Sequence, residues 1–376
     1  MQHVCVDEVM DMLRTEKWKD LPFLHKEDLR RREYHIVENN HVLHWFSSSG
    51  STAEPVIYPW TVHDEVVACR SLAAVHDLSE KRSQGVGLVI APTGMPGMWF
   101  HMDRQLRYLG LATAFPDVKS ADSVLGLIET LSPKVLASLP FIMSRLGELY
   151  RLRHPEMSYR PEAIICAGDV LSAARRKKIS ELWECPVRNF YGLSEIYGPL
   201  ACDADADGLA LCWQDWHTPE VFIEVLDPLT KQPIEPGGTG IAVATTLWDR
   251  PASLVRYWTG DIFELQGWLE PGRPRFRICG REAFRLPGAV DGVYPVDLDE
   301  VLLSYPAAGN EWGITLQGDE VRITLEANDL EAGVTKDLAE AVQAMFLLHT
   351  KVELTAPGSL PRKQVKLGAG FPQFQR

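Results

Sequence analysis

Positive charge is scarce in this chain. Thirty-eight Lys and Arg stand against 51 Asp and Glu, a formal net charge of −13. A nucleic-acid groove or an anionic membrane surface needs a basic footprint, so neither is expected as a partner. Long apolar runs are missing too. The best, GVGLVIAP (85–92), is far short of the ~20 residues that cross a bilayer. No basic segment followed by an apolar stretch opens the sequence, so no targeting signal is read there. Seven cysteines (5, 69, 166, 185, 202, 212 and 279) form no CxxC. An odd, scattered set is expected in a reduced, cytoplasmic protein. No GxxxxGK[ST] occurs, which excludes a Walker A phosphate loop. Internal repeats and low-complexity tracts are absent as well.

The rest of the composition is that of a globular protein, 45% apolar and 24% charged. Its 376 residues allow two or three domains and a core that needs no staples. Residues 1–34 are mixed and charged and read as short helices. From residue 85 a β-then-α rhythm begins. GVGLVIAP reads as a buried strand, MDRQLRYLGL (102–111) as a helix ending near Gly110, and ATAFP (112–116) as a strand. VLGLIETLS (124–132), IMSRLGELYRLRHP (142–155) and SAARRKKISELWE (172–184) read as helices. KVLASLP (134–140), AIICAG (163–168) and VRNFYG (187–192) read as strands. This alternation predicts an α/β domain with a parallel sheet. After about 210, VFIEVLDP, GIAVATTL and LVRYWTGDIFEL are longer period-2 runs between turn signals, which predicts antiparallel pairing. Beyond a hinge near 280–284, VYPVDLDEVLLSYP, WGITLQGDEVRITLEA and KDLAEAVQAMFLLH read as helix, hairpin and helix. They make a small α+β module with a loop-like tail, 359–376.

Several motifs carry chemistry in one reading and none in another. SSSGSTAEP (47–55) is either a Ser-rich surface loop or a cradle for polyphosphate, since small residues admit close backbone approach and hydroxyls supply neutral donors. GVGLVI begins like GxGxxG, but the third glycine is Ile90 and the run is itself a strand, so no dinucleotide site is read there. DADADG (203–208) fits calcium-loop positions 1, 3, 5 and 6, yet position 12 is Gln214 and the flanks are strand-like; an acidic turn is the better reading. Cys202, Cys212 and His217, with Cys166 or Cys185, fit no strong zinc spacing. YGLSEIYGP (191–199) puts Glu195 at the C-terminal end of a strand, where ligands and metals collect at a parallel sheet's open edge; the alternative is a solvated turn.

Taken in order, these segments resemble the adenylate-forming superfamily of acyl-CoA synthetases and adenylation domains, and within it the phenylacetate–CoA ligase-like branch. The likeness runs from LPFLHKEDLRRREY (21–34) through SSSGSTAEP, WTVHDE, YGLSEIYGP, WQDWHTPEVFIEV, LVRYWTGD and GREAFRLPGAVDGVYPVDLDEVL to PGSLPRKQVK (357–366). The small stand-alone aryl-acid adenylation proteins of phenazine tailoring, in secondary metabolism and antibiotic biosynthesis, are a similar group. The resemblance implies a large N-terminal domain of mixed sheets with flanking helices, 1–281, and a small mobile α+β C-terminal domain, 282–376. It implies an ATP-dependent ligase that activates a carboxylic acid as an acyl-adenylate and hands it to CoA or a phosphopantetheinyl carrier protein. Positioning and charge stabilisation would carry the rate. By the same resemblance, Ser48, Ser49, Gly50, Ser51 and Thr52 would wrap the β- and γ-phosphates, and Glu195 would help hold Mg²⁺. Asp261 would accept the ribose hydroxyls with Arg281 assisting. Gly168, Asp169, Asn189, Phe190, Tyr191, Gly192 and Ser194 would line the nucleotide pocket, and Lys366 would bridge the carboxylate and the α-phosphate. Pro92, Thr93, Gly94, Met95, Trp99, His101 and Ala167 are candidates for the acid pocket, where Met and Trp suit a flat aromatic acid; ordinary core packing is the alternative for each.

Three departures stand out. The phosphate loop reads Ala53-Glu54 where the family has Gly-Lys, which adds a negative charge beside a triphosphate. Ala283 stands where the family has its hinge acid, and the glycine expected before the VYP segment is read as displaced, with Gly288 and Gly292 on either side. The resemblance therefore supports adenylation better than thiol transfer. Adenylation alone, with delivery to an amine or a partner enzyme, and a degenerate protein that binds nucleotide or an aryl ligand without turnover both remain open. A monomer or a homodimer is expected.

Overall fold

The computed structural model describes residues 11, 17–30, 42–47, 56–73, 84–91, 96–116, 120–196, 198–203, 209–211, 221–248, 253–270, 273–284, 286, 288–305, 307–327 and 335–360. The chain divides into two compact units, Met1–Ala137 with Arg188–Arg277, and Ser138–Val187 with Ile278–Arg376.

The first unit opens on two 3-10 turns, Lys17–Asp20 and Asp28–Arg30, and an antiparallel hairpin of β1 (Val42–Ser47) and β2 (Ile57–Thr61). Helix α1 (Val62–Ala73) follows directly. Asp64 accepts from the Thr61 amide and hydroxyl at its start. β3 (Val86–Ile90) is the buried strand read from GVGLVI. Its Gly87 leaves room for Leu106, since a Cβ there would stand 2.8 Å from that side chain. Packing, not phosphate binding, accounts for this glycine. Helix α2 (Pro96–Tyr108) returns the chain to β4 (Ala112–Ala114), which pairs parallel to β3. Helix α3 (Ala121–Leu131), N-capped by Ser120, leads to β5 (Val135–Ser138) on the other side of β3.

The remainder of this unit pairs antiparallel as the period-2 runs after about residue 210 predicted, and the antiparallel pairing begins earlier than expected, with Phe190 opposite Cys202. β7 (Val187–Leu193), β8 (Gly198–Asp203), β9 (Leu209–Leu211), β10 (Val221–Leu226), β11 (Thr239–Thr246), β12 (Tyr257–Glu270) and β13 (Arg273–Arg281) lie in the order β10-β11-β12-β13-β9-β8-β7. β8 and β9 pair antiparallel with Asp203 opposite Leu209, so the acidic run 203–208 links two strands rather than the two helices of a calcium loop. Residues 204–208 themselves lie outside the described residues, as do Cys212 and His217.

In the second unit, helix α4 (Pro140–Arg153), β6 (Ala163–Ala167) and helix α5 (Ala173–Trp183) form a βα pair with its preceding helix. Ser172 caps α5 by accepting from the Arg175 amide at 3.1 Å. After a 3-10 turn at Glu282–Phe284 come helix α6 (Pro295–Ser304), the hairpin β14 (Ala308–Gln317) and β15 (Glu320–Ala327), and helix α7 (Thr335–Gln343). Leu298, Leu302 and Leu303 put one face of α6 into a core with Trp312, Ile323 and Val342. The last helix stops at Gln343 and not at His349. A strand missed in the sequence, β16 (His349–Thr355), pairs parallel to β15. The Gln343 side chain makes that turn by bonding the Leu348 carbonyl and the Thr350 amide.

Candidate active site

Within the first unit, β7 ends in the segment that the sequence singled out. Tyr191 is buried, and its hydroxyl donates to Asp261 Oδ2 on β12 at 2.7 Å. The two residues lie 70 positions apart and are joined because β7 and β12 belong to the same sheet. Phe263 stacks on Phe276 with centroids 3.9 Å apart, and the Tyr191 ring stands edge-on to both. This aromatic floor fixes the tyrosine, and the tyrosine fixes a buried carboxylate. Asn189 and Phe190 precede it on β7. The Asn189 amide donates to Asp203 Oδ2, which ties the first residue of the acidic run to β7.

Directly after β7, a 3-10 turn (Ser194–Ile196) carries Glu195, 6% exposed. Lys26 places its ammonium 3.6 Å from Glu195 Oε1 while remaining about a third exposed. Tyr58 of β2 is buried beside them. Burial pushes its hydroxyl well above the ordinary range, a hydrogen bond with Ser194 opposes this, and the Glu195 charge adds to it. Gly192 and Ser194 are exposed on either side. Lys26 and Tyr58 were not singled out by sequence. The signal available for Lys26 was its place inside LPFLHKEDL; for Tyr58 there was none.

A second cluster lies on β1, β2 and α2. His101 is 6% exposed and stacks on Trp60 at 4.6 Å, with Phe46 and Phe100 around it. Burial lowers its imidazole from the ordinary value of 6.5 to about 3, so it is neutral at physiological pH. Trp99 lies in the same helix. Aromatic rings and a neutral imidazole make this the apolar wall of the unit.

The remaining candidates fall in the second unit or outside the described residues. Ala167 ends β6, Gly168 follows with φ +77°, a backbone state suited to glycine, and Asp169 accepts from the Val170 amide. Arg281 ends β13. Ser48, Ser49, Gly50, Ser51, Thr52, Pro92, Thr93, Gly94, Met95 and Lys366 lie outside the described residues, with Ala53 and Glu54. Among the described residues no group of three or more His, Cys, Asp or Glu side chains could hold a metal ion by itself. None of the described helices is long and apolar enough to cross a membrane.

A buried carboxylate held by a tyrosine on a mixed sheet, with a second carboxylate and a lysine at the same strand's end, suits a polyhydroxyl, polyphosphate ligand. The family model described as AMP-binding enzyme matches residues 2–245, and that of the AMP-binding enzyme C-terminal domain matches residues 291–369. The chain belongs to the AMP-binding enzyme family. A phenylacetate-coenzyme A ligase of Thermus thermophilus is 29% identical over 391 residues, covering 92% of this chain and 84% of that protein. A solved 2-hydroxyisobutyryl-CoA ligase in the postadenylation state, holding an acyl-AMP, matches with a TM-score of 0.76 at 20% identity over 92% of this chain and 78% of that one. The same ligase in its thioesterification state with CoA matches with a TM-score of 0.58, covering 91% and 78%. The fold is thus the mixed α/β fold of adenylate-forming enzymes, and the chain is an AMP-forming ligase.

Proposed function

We propose that this AMP-binding enzyme activates an aromatic carboxylic acid with ATP and transfers the acyl group to the thiol of CoA. The substrate carboxylate oxygen attacks the α-phosphorus, and the bond to pyrophosphate breaks. The CoA sulfur then attacks the acyl carbon, the bond to AMP breaks, and the thiol proton leaves to solvent. The observation that carries the reading is the pairing of Tyr191 with Asp261 on the strand that delivers Glu195. Asp261 is a buried carboxylate, the kind of acceptor that suits the hydroxyls of a ribose. Glu195 is a hard oxygen donor that suits Mg²⁺, which would neutralise phosphate charge when bound. Lys26 supplies a cation beside it, the charge that the phosphate loop lost when Glu54 replaced the family's lysine. The aromatic wall of Phe46, Trp60, Phe100 and His101 suits a flat, apolar acid. Lys366 would bridge the acid and the α-phosphate, and the chain would change arrangement between the two half-reactions. The name of the Thermus relative supports CoA as acceptor.

Pyrophosphate exchange across a panel of aromatic acids, read with and without CoA, tests this. Exchange with at least one acid, and a thioester mass when CoA is added, is the expected result; absence of exchange with every acid overturns it. A second reading, adenylation without thiol transfer, is favoured by Ala283 at the hinge. Exchange without thioester would select it.

A further inference from the structure

The second unit holds a buried ion pair between α5 and α6. Arg175 and Asp299 are 1% and 2% exposed, with Nη2 to Oδ1 at 2.6 Å and Nε to Oδ2 at 3.0 Å. Asp299 also accepts from the Ser172 hydroxyl and from the Trp312 indole at 2.7 Å. Arg175 donates its third bond to the Asn310 carbonyl at 3.1 Å. Around the pair, Glu300 accepts from the Ala174 amide, and Lys178 donates to the Ala308 carbonyl. Asp299 accepts four hydrogen bonds and Arg175 donates three, and such bonding is the condition under which two charges survive burial.

The placement matters more than the strength. Ser172, Ala174 and Arg175 are the N-cap and first turn of α5, three to six residues after Asp169, a candidate for the nucleotide loop. Asp299, Glu300, Ala308 and Trp312 belong to the C-terminal module that also carries Lys366. A fully bidentate, dry contact is all-or-none: it sets one register of the module on α5 and is lost on small displacement.

We propose that Arg175 and Asp299 form a latch that registers the C-terminal module on the loop after β6 for adenylation, and that the latch opens for transfer to the thiol. Arg175 is then a positioning residue, and the proposal rests on the two-step reading above. A module able to turn only at 282–284 would drag Asp299 out of this contact, so the latch and the hinge act against each other.

The test is R175M/D299N, which removes both charges, keeps the bulk and leaves an amide oxygen for Trp312. Neither member of the pair is left without the other, and Tm reads whether the fold tolerates the loss of a cation near buried Glu311. The expected result is a fall in pyrophosphate exchange of tenfold or more, with thioester formation from supplied acyl-adenylate and CoA unchanged or faster. Equal change in both half-reactions, or change in neither, overturns the latch. Hydrogen exchange reads it independently of catalysis: the Trp312 indole and the Ala174 amide are protected in the parent and exchange faster in R175M/D299N at unchanged Tm. Unchanged protection at both also overturns it. If the parent shows no exchange of pyrophosphate with any acid, the two-step reading fails, and hydrogen exchange alone decides whether the latch exists.

Discussion

Lys26 and Glu195 set the charge at the end of β7. An ammonium beside a buried carboxylate is held by that carboxylate, and on the proposed reading the phosphates of ATP would compete for it. A hydrogen bond to a charged group is worth ~1.5–3 kcal/mol, so Lys26→Ala should lower kcat/KM for ATP by about ten- to a hundredfold. KM should carry most of the loss, and Lys26→Arg should recover part. Steady-state kinetics with ATP varied checks this; an unchanged KM would remove Lys26 from the phosphate site. His101 makes a different prediction. In the unfolded chain its imidazole takes a proton below about 6.5, and in the fold only near 3. Stability is therefore lost as pH falls through that interval, by up to ~1.4 kcal/mol per unit. His101→Phe keeps the stacking on Trp60 and cannot titrate, so its Tm should fall less between pH 6.5 and 4 than that of the parent.

The element that delivers Lys26 is the N-terminal segment 17–30, and Arg256 fastens it. Arg256 pairs with buried Glu224 of β10, donates to the carbonyls of Lys19 and Leu21, and stacks its guanidinium on Phe23 at 4.2 Å. Burial raises the Glu224 carboxyl, against the pull of Arg256. Arg256→Ala strands that carboxylate, at a cost of ~3–5 kcal/mol, and frees the segment carrying Lys26. Lower Tm and weaker ATP binding should appear together, and R256M/E224L should restore Tm without restoring binding. The same contrast explains what could be read in advance. The buried run of β3, the period-2 strands β10 to β12 and the apolar stripe of α6 announce themselves locally, because burial imposes a period on each. β16 did not, although Lys351-Val352-Glu353-Leu354 alternates, since the run is short and AVQAMFLLH just before it is apolar enough to extend a helix. Tyr191 with Asp261 was legible only as two separate motifs, and Arg175 with Asp299 not at all: partners 124 residues apart carry no joint signal in one sequence.

At the scale of the molecule, the charge of −13 opposes every anion the proposed reaction uses. ATP, pyrophosphate and CoA must approach an acidic surface and then meet the few cations at the site. The two effects have different ranges. The global field extends ~30 Å at 0.01 M salt and ~8 Å at 0.15 M, whereas a contact such as Lys26 to phosphate is short and partly buried and is screened less. Adding salt therefore removes the repulsion before it weakens the contact. The kcat/KM for ATP, measured at saturating Mg²⁺ and acid, should rise between ~0.01 and ~0.15 M monovalent salt, the reverse of a basic, steering enzyme. Lys26→Ala should keep that rise and lower the whole curve, because it removes a local partner and leaves the long-range field nearly as it was. A fall with salt in the parent would mean that cations around the site, and not the net charge, govern the approach of the nucleotide.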